Sequence, residues 1–142
     1  MIKPDGVKKR IMGEIISRFE KRGLYLVKIG AVVPTDEILK KHYAEHIERP
    51  FYNSLVSYMK SGMAIPMIWE GENSVKVARD LMGATCPLRA TPGTIRADYG
   101  ISLARNVIHG ADSVEAAARE IEIWFGNNIE PISHFDKDYY YE

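Results

Sequence analysis

Asn106-Val107-Ile108-His109-Gly110-Ala111-Asp112-Ser113 is the stretch on which the reading of this chain turns. Val107 and Ile108 are β-branched, the composition of a strand, and Gly110 follows as a turn residue. Asp112 and Ser113 read as the cap of a helix whose apolar positions are Val114, Ala117, Ala118, Ile121 and Phe125. The octapeptide therefore predicts a strand, a histidine, a turn and a helix, with His109 held by rigid elements on both sides. An imidazole of ordinary pKa, about 6.5, is a neutral nucleophile near pH 7. Among cations it can accept a phosphoryl group. A histidine at a strand end is more commonly just a hydrogen-bonded, half-buried residue, so the rest of the chain has to decide.

Outward from that stretch, apolar periodicity assigns the other elements. Met12, Ile15, Ile16 and Phe19 fall at helical spacing, and Arg22-Gly23 closes that helix. Leu24 to Val33 reads as a strand ended by Pro34. Thr35 and Asp36 cap a helix running to about His46, and Pro50 starts another carrying Leu55, Val56, Tyr58 and Met59. Ala64 to Trp69 is a strand interrupted by Pro66, which cannot donate to a ladder and predicts a bulge or an unpaired position. Asn73 caps a helix that stops at Gly83, and residues 84–105 form a long loop. With a strand at Met1-Ile2 the order is a ferredoxin-like βαββαβ α/β (α+β) sandwich: a four-stranded antiparallel sheet with covering and inserted helices. The first strand of such a sheet is central and here is very short, which implies further residues upstream of Met1. Residues 1–142 read as one domain, with 126–142 as a coil tail ending in Tyr139-Tyr140-Tyr141.

Lysine plus arginine (19) balance aspartate plus glutamate (19), which argues against a dedicated nucleic-acid binder. The single cysteine, Cys86, excludes an intramolecular disulfide framework and fits a reducing compartment. No apolar run approaches the ~18 residues of a membrane span. No secretory h-region follows Lys8-Lys9-Arg10. The expectation is a cytoplasmic protein with no membrane partner.

The chain has no GxxxxGK[ST] and no GxGxxG, so a phosphate site has to be built from side chains. Lys3, Arg79, Thr85, Arg96 and Asn106 are the candidates; guanidinium forks and ammonium groups suit phosphate oxygens. Taken singly, each basic residue is more often a solvated surface charge. Arg96 stands out because Pro92-Gly93-Thr94-Ile95-Arg96 reads as a shaped loop. Glu120, seven positions after Ser113, is placed where it could orient an imidazole at the helix start. Phe51 after Arg49-Pro50 could stack on a base or anchor the core. His42-Tyr43-Ala44-Glu45-His46 matches H-x-x-E-H and would put two imidazoles one helical turn apart, a zinc spacing. No third ligand is marked downstream, and an exposed helix face is the plainer reading.

Six stretches occur in the order and spacing of nucleoside diphosphate kinases: Lys3-Pro4-Asp5-Gly6-Val7; His42-Tyr43 with Arg49-Pro50-Phe51; Trp69-Glu70-Gly71; Gly83-Ala84-Thr85; Pro92 to Arg96; and Asn106 to Gly110. The chain resembles that family from Lys3 to about Phe125. The resemblance implies a ferredoxin-like sandwich that moves the γ-phosphate of a nucleoside triphosphate to a nucleoside diphosphate by ping-pong through a phosphohistidine, maintaining triphosphate pools. It implies Mg2+ held mainly by the nucleotide phosphates, not by a protein metal site. By resemblance His109 is the nucleophile. Lys3 contacts the ribose and the transferring phosphate, and Tyr43 lies near that phosphate. Arg79, Thr85 and Arg96 hold the phosphates, Asn106 binds the ribose, Phe51 stacks on the base, and Glu120 orients His109. It also implies a homo-oligomer, a hexamer ahead of a tetramer. Departures from the family pattern are Ala111 for a serine, Arg10 for a glycine, Met63 for a proline, Pro66 for a small residue and Cys86 for a polar one. The alternative in a different class is a non-catalytic nucleotide-binding or scaffold member.

Overall fold

Pro4 opens α1 (Pro4–Lys8) at the first helical position, where a missing N–H costs nothing. In this computed structural model, which describes residues 1–127 and 129, most helix ends have such a local cause. α2 (Met12–Lys21) turns Ile15 and Phe19 inward and ends where expected, with Gly23 at φ 92°. Thr35 Oγ1 accepts the Ile38 N–H at 3.2 Å and caps α3 (Asp36–His42). α3 is shorter than its apolar pattern predicts, because the chain tightens at Tyr43 into a 3-10 turn over Ala44–His46. α4 spans Tyr52–Met59 and α5 spans Ser74–Met82. Asn73 precedes α5 with φ 53° and makes no side-chain cap bond, so its part in that helix start is conformational.

β1 (Tyr25–Ile29) and β2 (Met67–Glu70) pair antiparallel, from Tyr25 opposite Glu70 to Ile29 opposite Met67. Both are shorter than the apolar runs that predict them. The register irregularity falls between Leu26 and Lys28, across from the strand in which Pro66 predicts it. Pro66 instead divides its own run. Ala64 and Ile65 form isolated bridges to Val32 and Ile2, and the ladder resumes at Met67. Ile2 is also bridged to Ile108, so it lies between the Ile65 segment and the segment that carries His109.

The long loop predicted over 84–105 contains structure of its own. Pro87–Arg89 is a 3-10 turn, and Thr94 caps a short α6 (Ile95–Tyr99) through the Ala97 N–H at 3.4 Å. Arg96 therefore stands on a helix and not on a loop. Ser113 Oγ accepts the Ala116 N–H at 3.0 Å and caps α7 (Val114–Phe125). Val114 is 72% exposed and Ala118 is exposed too, so the inward stripe of α7 is narrower than its sequence suggests. The coil tail lies outside the described residues except for positions 126, 127 and 129.

The chain is an α+β protein. Its main core joins Ile2, Ile15, Phe19, Ile65, Met82 and Ile108. A second cluster, Leu39, Tyr43, Tyr58, Met59 and Ala64, lies under α3 and α4. Full burial of one such aliphatic side chain is worth about 1.5–3 kcal/mol. Ile2 and Ile108, both at most 1% exposed, therefore anchor the segment beside His109. Among the described residues, no helix is long and apolar enough to cross a membrane.

Arg10, exposed and at φ 59°, holds a left-handed conformation that costs a non-glycine residue about 1–2 kcal/mol. Glycine removes that cost but loses about 0.5–1 kcal/mol to its freer unfolded chain. Arg10→Gly is expected to raise the unfolding free energy by about 0.5–1 kcal/mol in urea titration; an unchanged or lower value would contradict the strain assignment.

Candidate active site

The segment before His109 is a strained turn in place of the predicted strand. Ile108 N–H bonds back to the Asn106 carbonyl at 2.8 Å, closing a three-residue turn around Val107 at φ 64°. A β-branched residue rarely adopts that conformation, and it persists only where its surroundings impose it. Here Asp5 does so: its carboxylate accepts the Val107 N–H at 3.1 Å. The Val107 carbonyl in turn accepts the Lys3 N–H at 2.9 Å. The Tyr58 hydroxyl donates to Asp5 and fixes that carboxylate. Gly6 makes the approach possible, since a Cβ there would lie 2.9 Å from the Val107 oxygen and 2.8 Å from Ile2. The His109 N–H donates to the Met1 carbonyl at 2.9 Å. Arg96 and Arg79 hold the carbonyls on either side of His109, Ile108 at 2.8 Å and Gly110 at 3.3 Å.

Glu120 Oε1 lies 2.8 Å from His109 Nε2. An ionised carboxylate only accepts, so Nε2 carries the proton and Nδ1 keeps its lone pair. Burial pushes the His109 imidazole below its ordinary pKa, against the pull of Glu120. For Glu120 burial acts to raise the pKa, but the His109 hydrogen bond and charge outweigh it and hold the carboxyl below its usual range. Near pH 7 the pair is therefore a neutral imidazole on an ionised carboxylate. Behind it stands His42, whose ring meets His109 edge-on at 4.6 Å between centroids. Trp124 Nε1–H donates to His42 Nδ1 at 3.1 Å. Burial, followed by the charge of His109, pushes the His42 pKa down to about 3.

Around this pair the structure gathers most of the residues named from sequence. Lys3 Nζ donates to Asn106 Oδ1 at 2.8 Å, and Asn106 Nδ2 donates to the Thr85 carbonyl at 2.9 Å. Burial, then Arg96, draws the Lys3 ammonium down to about 8. Arg96 is 5% exposed and bonds the Gly83 and Ile108 carbonyls. Burial, then Arg79, draws it down to about 10. Asp5 pulls the Lys3 ammonium the other way without cancelling the shift, and neither cation is in an ion pair among the described residues. The Tyr43 hydroxyl and Arg96 Nε are buried without a hydrogen-bond partner. Such groups ask for a ligand or water. Phe51 is 50% exposed, so the core-anchor reading fails for it. Successive ring contacts lead outward from His109 to it: His42 to Tyr43 at 4.6 Å, Tyr43 to His46 at 6.2 Å, His46 to Phe51 at 5.4 Å.

The H-x-x-E-H spacing does not make the zinc pair its sequence suggests. His42 ends α3, while His46 belongs to the 3-10 turn and packs on Phe51. Three further contributors escaped sequence reasoning: Asp5, Tyr58 and Trp124. Asp5 sits inside a quoted stretch, but only its contact with residue 107, far along the chain, shows its purpose. Trp124 meets its acceptor, His42, only through the packing of α7 against α3.

A neutral histidine seated between a carboxylate and unpaired cations defines a class of α+β phosphotransferases built without a glycine-rich phosphate loop. The nucleoside diphosphate kinase family profile matches residues 1–129. The nucleoside diphosphate kinase of Encephalitozoon cuniculi is 46% identical over 141 residues, 99% of this chain and 96% of the relative. The cytosolic nucleoside diphosphate kinase of Dictyostelium discoideum is 51% identical over 124 residues, 87% of this chain and 80% of the relative. Among solved structures, the halophilic nucleoside diphosphate kinase from Halobacterium salinarum in complex with CDP superposes with a TM-score of 0.93 at 40% identity, covering 99% of this chain and 95% of that one. The chain belongs to the nucleoside diphosphate kinase family.

The buried imidazoles predict the acid limb of stability. Unfolded, His42 takes a proton near its ordinary 6.5; folded, only near 3. Between those values the unfolded chain binds more protons, so stability falls as pH drops through the window; His109 adds with the same sign. Across that window, from about pH 6.5 down to about pH 4, the unfolding free energy is expected to decline, with a shallower decline in His42→Gln. Equal slopes in the two proteins would remove His42 from the account.

Proposed function

We propose that this phosphotransferase moves the γ-phosphoryl group of a nucleoside triphosphate to a nucleoside diphosphate through a phosphohistidine at His109. The 2.8 Å bond from His109 Nε2 to Glu120 carries the reading, because it leaves Nδ1 as the free nucleophile beside Lys3, Arg79 and Arg96. In the first half-reaction the Nδ1 lone pair forms a bond to the γ-phosphorus. The bond to the β,γ-bridging oxygen breaks, and the diphosphate leaves with that electron pair. The Nε2 proton stays on the ring, and Glu120 stabilises the positive charge that develops there. In the second half-reaction a terminal oxygen of another diphosphate attacks the phosphohistidine, and Nδ1 recovers its lone pair. Such transfer asks mainly for positioning and charge stabilisation.

Arg79, Arg96, Thr85 and Lys3 hold the phosphates in this scheme, and Tyr43 donates its unpartnered hydroxyl near the transferring group. Asn106 and Lys3 bind the ribose. Phe51, exposed at the end of the ring series, stacks on the base and discriminates little, since every base has a π-face. The cradle is cationic, so Mg2+ would ride mainly on the nucleotide's own phosphate oxygens, where it offsets their charge. The CDP bound to the Halobacterium salinarum relative supports a nucleotide as the ligand.

The bridges on both sides of Ile2 support a four-stranded antiparallel ferredoxin-like sheet within one domain, with Ile2 at its centre. Leu88, Ile101 and Leu103 are 84%, 73% and 62% exposed, which favours a homo-oligomer; the family resemblance alone puts a hexamer first. The Dictyostelium relative is cytosolic, which favours a cytoplasmic location here.

Incubation with γ-labelled ATP and Mg2+, without acceptor, is expected to load about one label per chain. That label should be lost in acid, survive base, and leave on addition of a nucleoside diphosphate. His109→Gln should take none. A folded wild-type protein that binds nucleotide but takes no label would instead favour the non-catalytic scaffold reading. Ala111 removes a hydroxyl two residues after His109, so Ala111→Ser is expected to raise the turnover rate or the melting temperature; no change in either would show that the position is silent.

A further inference from the structure

The zinc reading of the His42/His46 motif fails, yet the fold makes a different set from one of those histidines. The candidate ligand atoms of His42, His109 and Glu120 all lie within 4.8 Å of one another. His42 comes from the end of α3, His109 from the turn and Glu120 from α7. The central atom is Glu120 Oε1, 2.8 Å from His109 Nε2 and 3.8 Å from His42 Nδ1. Tetrahedral Zn2+ with bonds of about 2.0–2.1 Å needs ligand atoms about 3.3 Å apart. Each of those two spacings has to change by about 0.5 Å to fit an ion, and the third, between His42 and His109, lies within 4.8 Å and has to close by up to about 1.5 Å.

We propose that His42, His109 and Glu120 form a site for a borderline-soft divalent cation such as Zn2+, and that its occupation arrests phosphoryl transfer. The donor set decides the cation class. Two imidazoles and one carboxylate suit zinc, cobalt or copper, whereas Mg2+ takes oxygen ligands and keeps its water. Both imidazoles are neutral near pH 7, so neither has to lose an acidic proton to bind. The site is largely dry: the three side chains are 1%, 26% and 14% exposed for His42, His109 and Glu120. A cavity of about 150 Å3 among the described residues adjoins all three, with Pro66, Met67 and Ile121 on its wall. It leaves room for a fourth ligand from water.

The arrest follows from the proton balance on His109. An ion on Nε2 displaces the proton there, and a neutral imidazole keeps that proton by carrying it on Nδ1. The lone pair that attacks phosphorus is then gone. Glu120 is bound to the ion and no longer supports charge on the ring. On the other side, Trp124 Nε1–H loses its acceptor when His42 Nδ1 turns to the ion. Mg2+–nucleotide and Zn2+ thus address different ring nitrogens of one residue, and the zinc-bound tautomer cannot take the phosphoryl group. The arrest rests on the phosphohistidine reading above; the binding does not.

The test titrates Zn2+ alone into metal-free wild-type protein, without nucleotide. One ion per chain is expected, with a change in tryptophan emission and loss of ATP labelling that a chelator reverses. His42→Gln should weaken Zn2+ binding about tenfold or more. X-ray absorption of the zinc-loaded wild type should show two imidazoles and an oxygen, independently of how any variant folds. A sulfur ligand from Cys86, unaltered affinity in folded His42→Gln, or no binding at about 100 μM Zn2+ (~5.5 kcal/mol) overturns the site. Wild type that labels normally but ignores Zn2+ sinks this inference and spares the function. Protein that binds Zn2+ at two imidazoles yet, free of zinc and given Mg2+–ATP, takes no label sinks the function and the arrest, and leaves the site.

Discussion

The Asp5 carboxylate on the Val107 N–H is the constraint from which the site is built. Val107 at φ 64° would relax if that bond were absent. Relaxation would rotate Ile108 and His109 away from their partners. The bond acts because Asp5 is itself held: Pro4 starts the helix that presents it, Tyr58 donates to it, and Gly6 lets that helix approach the turn. Ile2 and Ile108 bury the same junction in the main core. His109 thus inherits its position from the best-packed part of the molecule, and the strain sits two residues before it, at Val107. Preorganisation of this kind matters because phosphoryl transfer gains chiefly from geometry and fixed charge.

Charge is arranged around the same point with little redundancy. Burial keeps His109 neutral, and Glu120 takes only one ring nitrogen. Lys3 and Arg96, both depressed by burial, supply positive charge where an anion would lie. Had either cation been paired with a carboxylate, the site would be electrically closed to phosphate. The feature on which the proposed nucleophilic role of His109 rests, a neutral imidazole beside a carboxylate, is also the one on which the proposed metal site rests. Only the element carrying His42 decides whether a third donor is in reach, and α3 brings it there.

Reading the chain as sequence recovered the helices and their caps well. Thr35 and Ser113 are local signals, since a hydroxyl needs only an N–H three residues on. The strands were harder. Their apolar runs are longer than their ladders, because Pro66 and the irregularity at Leu26 and Lys28 break pairing that composition alone would extend. The 84–105 segment looked like loop, and α6 inside it was hidden by flanking glycine and proline.

Alone, the sequence determined which residue types are available and in what order, and with them the family: the histidine, Lys3, Thr85, Arg96 and Asn106 all stand in named stretches, while Arg79 and Glu120 lie outside them. The helix starts at Thr35 and Ser113 were also settled there, since capping is decided within one turn. Tertiary structure decided what those residues do to one another. It turned the β-branched pair before His109 into a strained turn, because the partner of Val107 lies 102 positions away in Asp5. It detached His42 from His46 and set it against His109 and Trp124. Long-range contacts and burial set the protonation of each group, and no local pattern of residues encodes them.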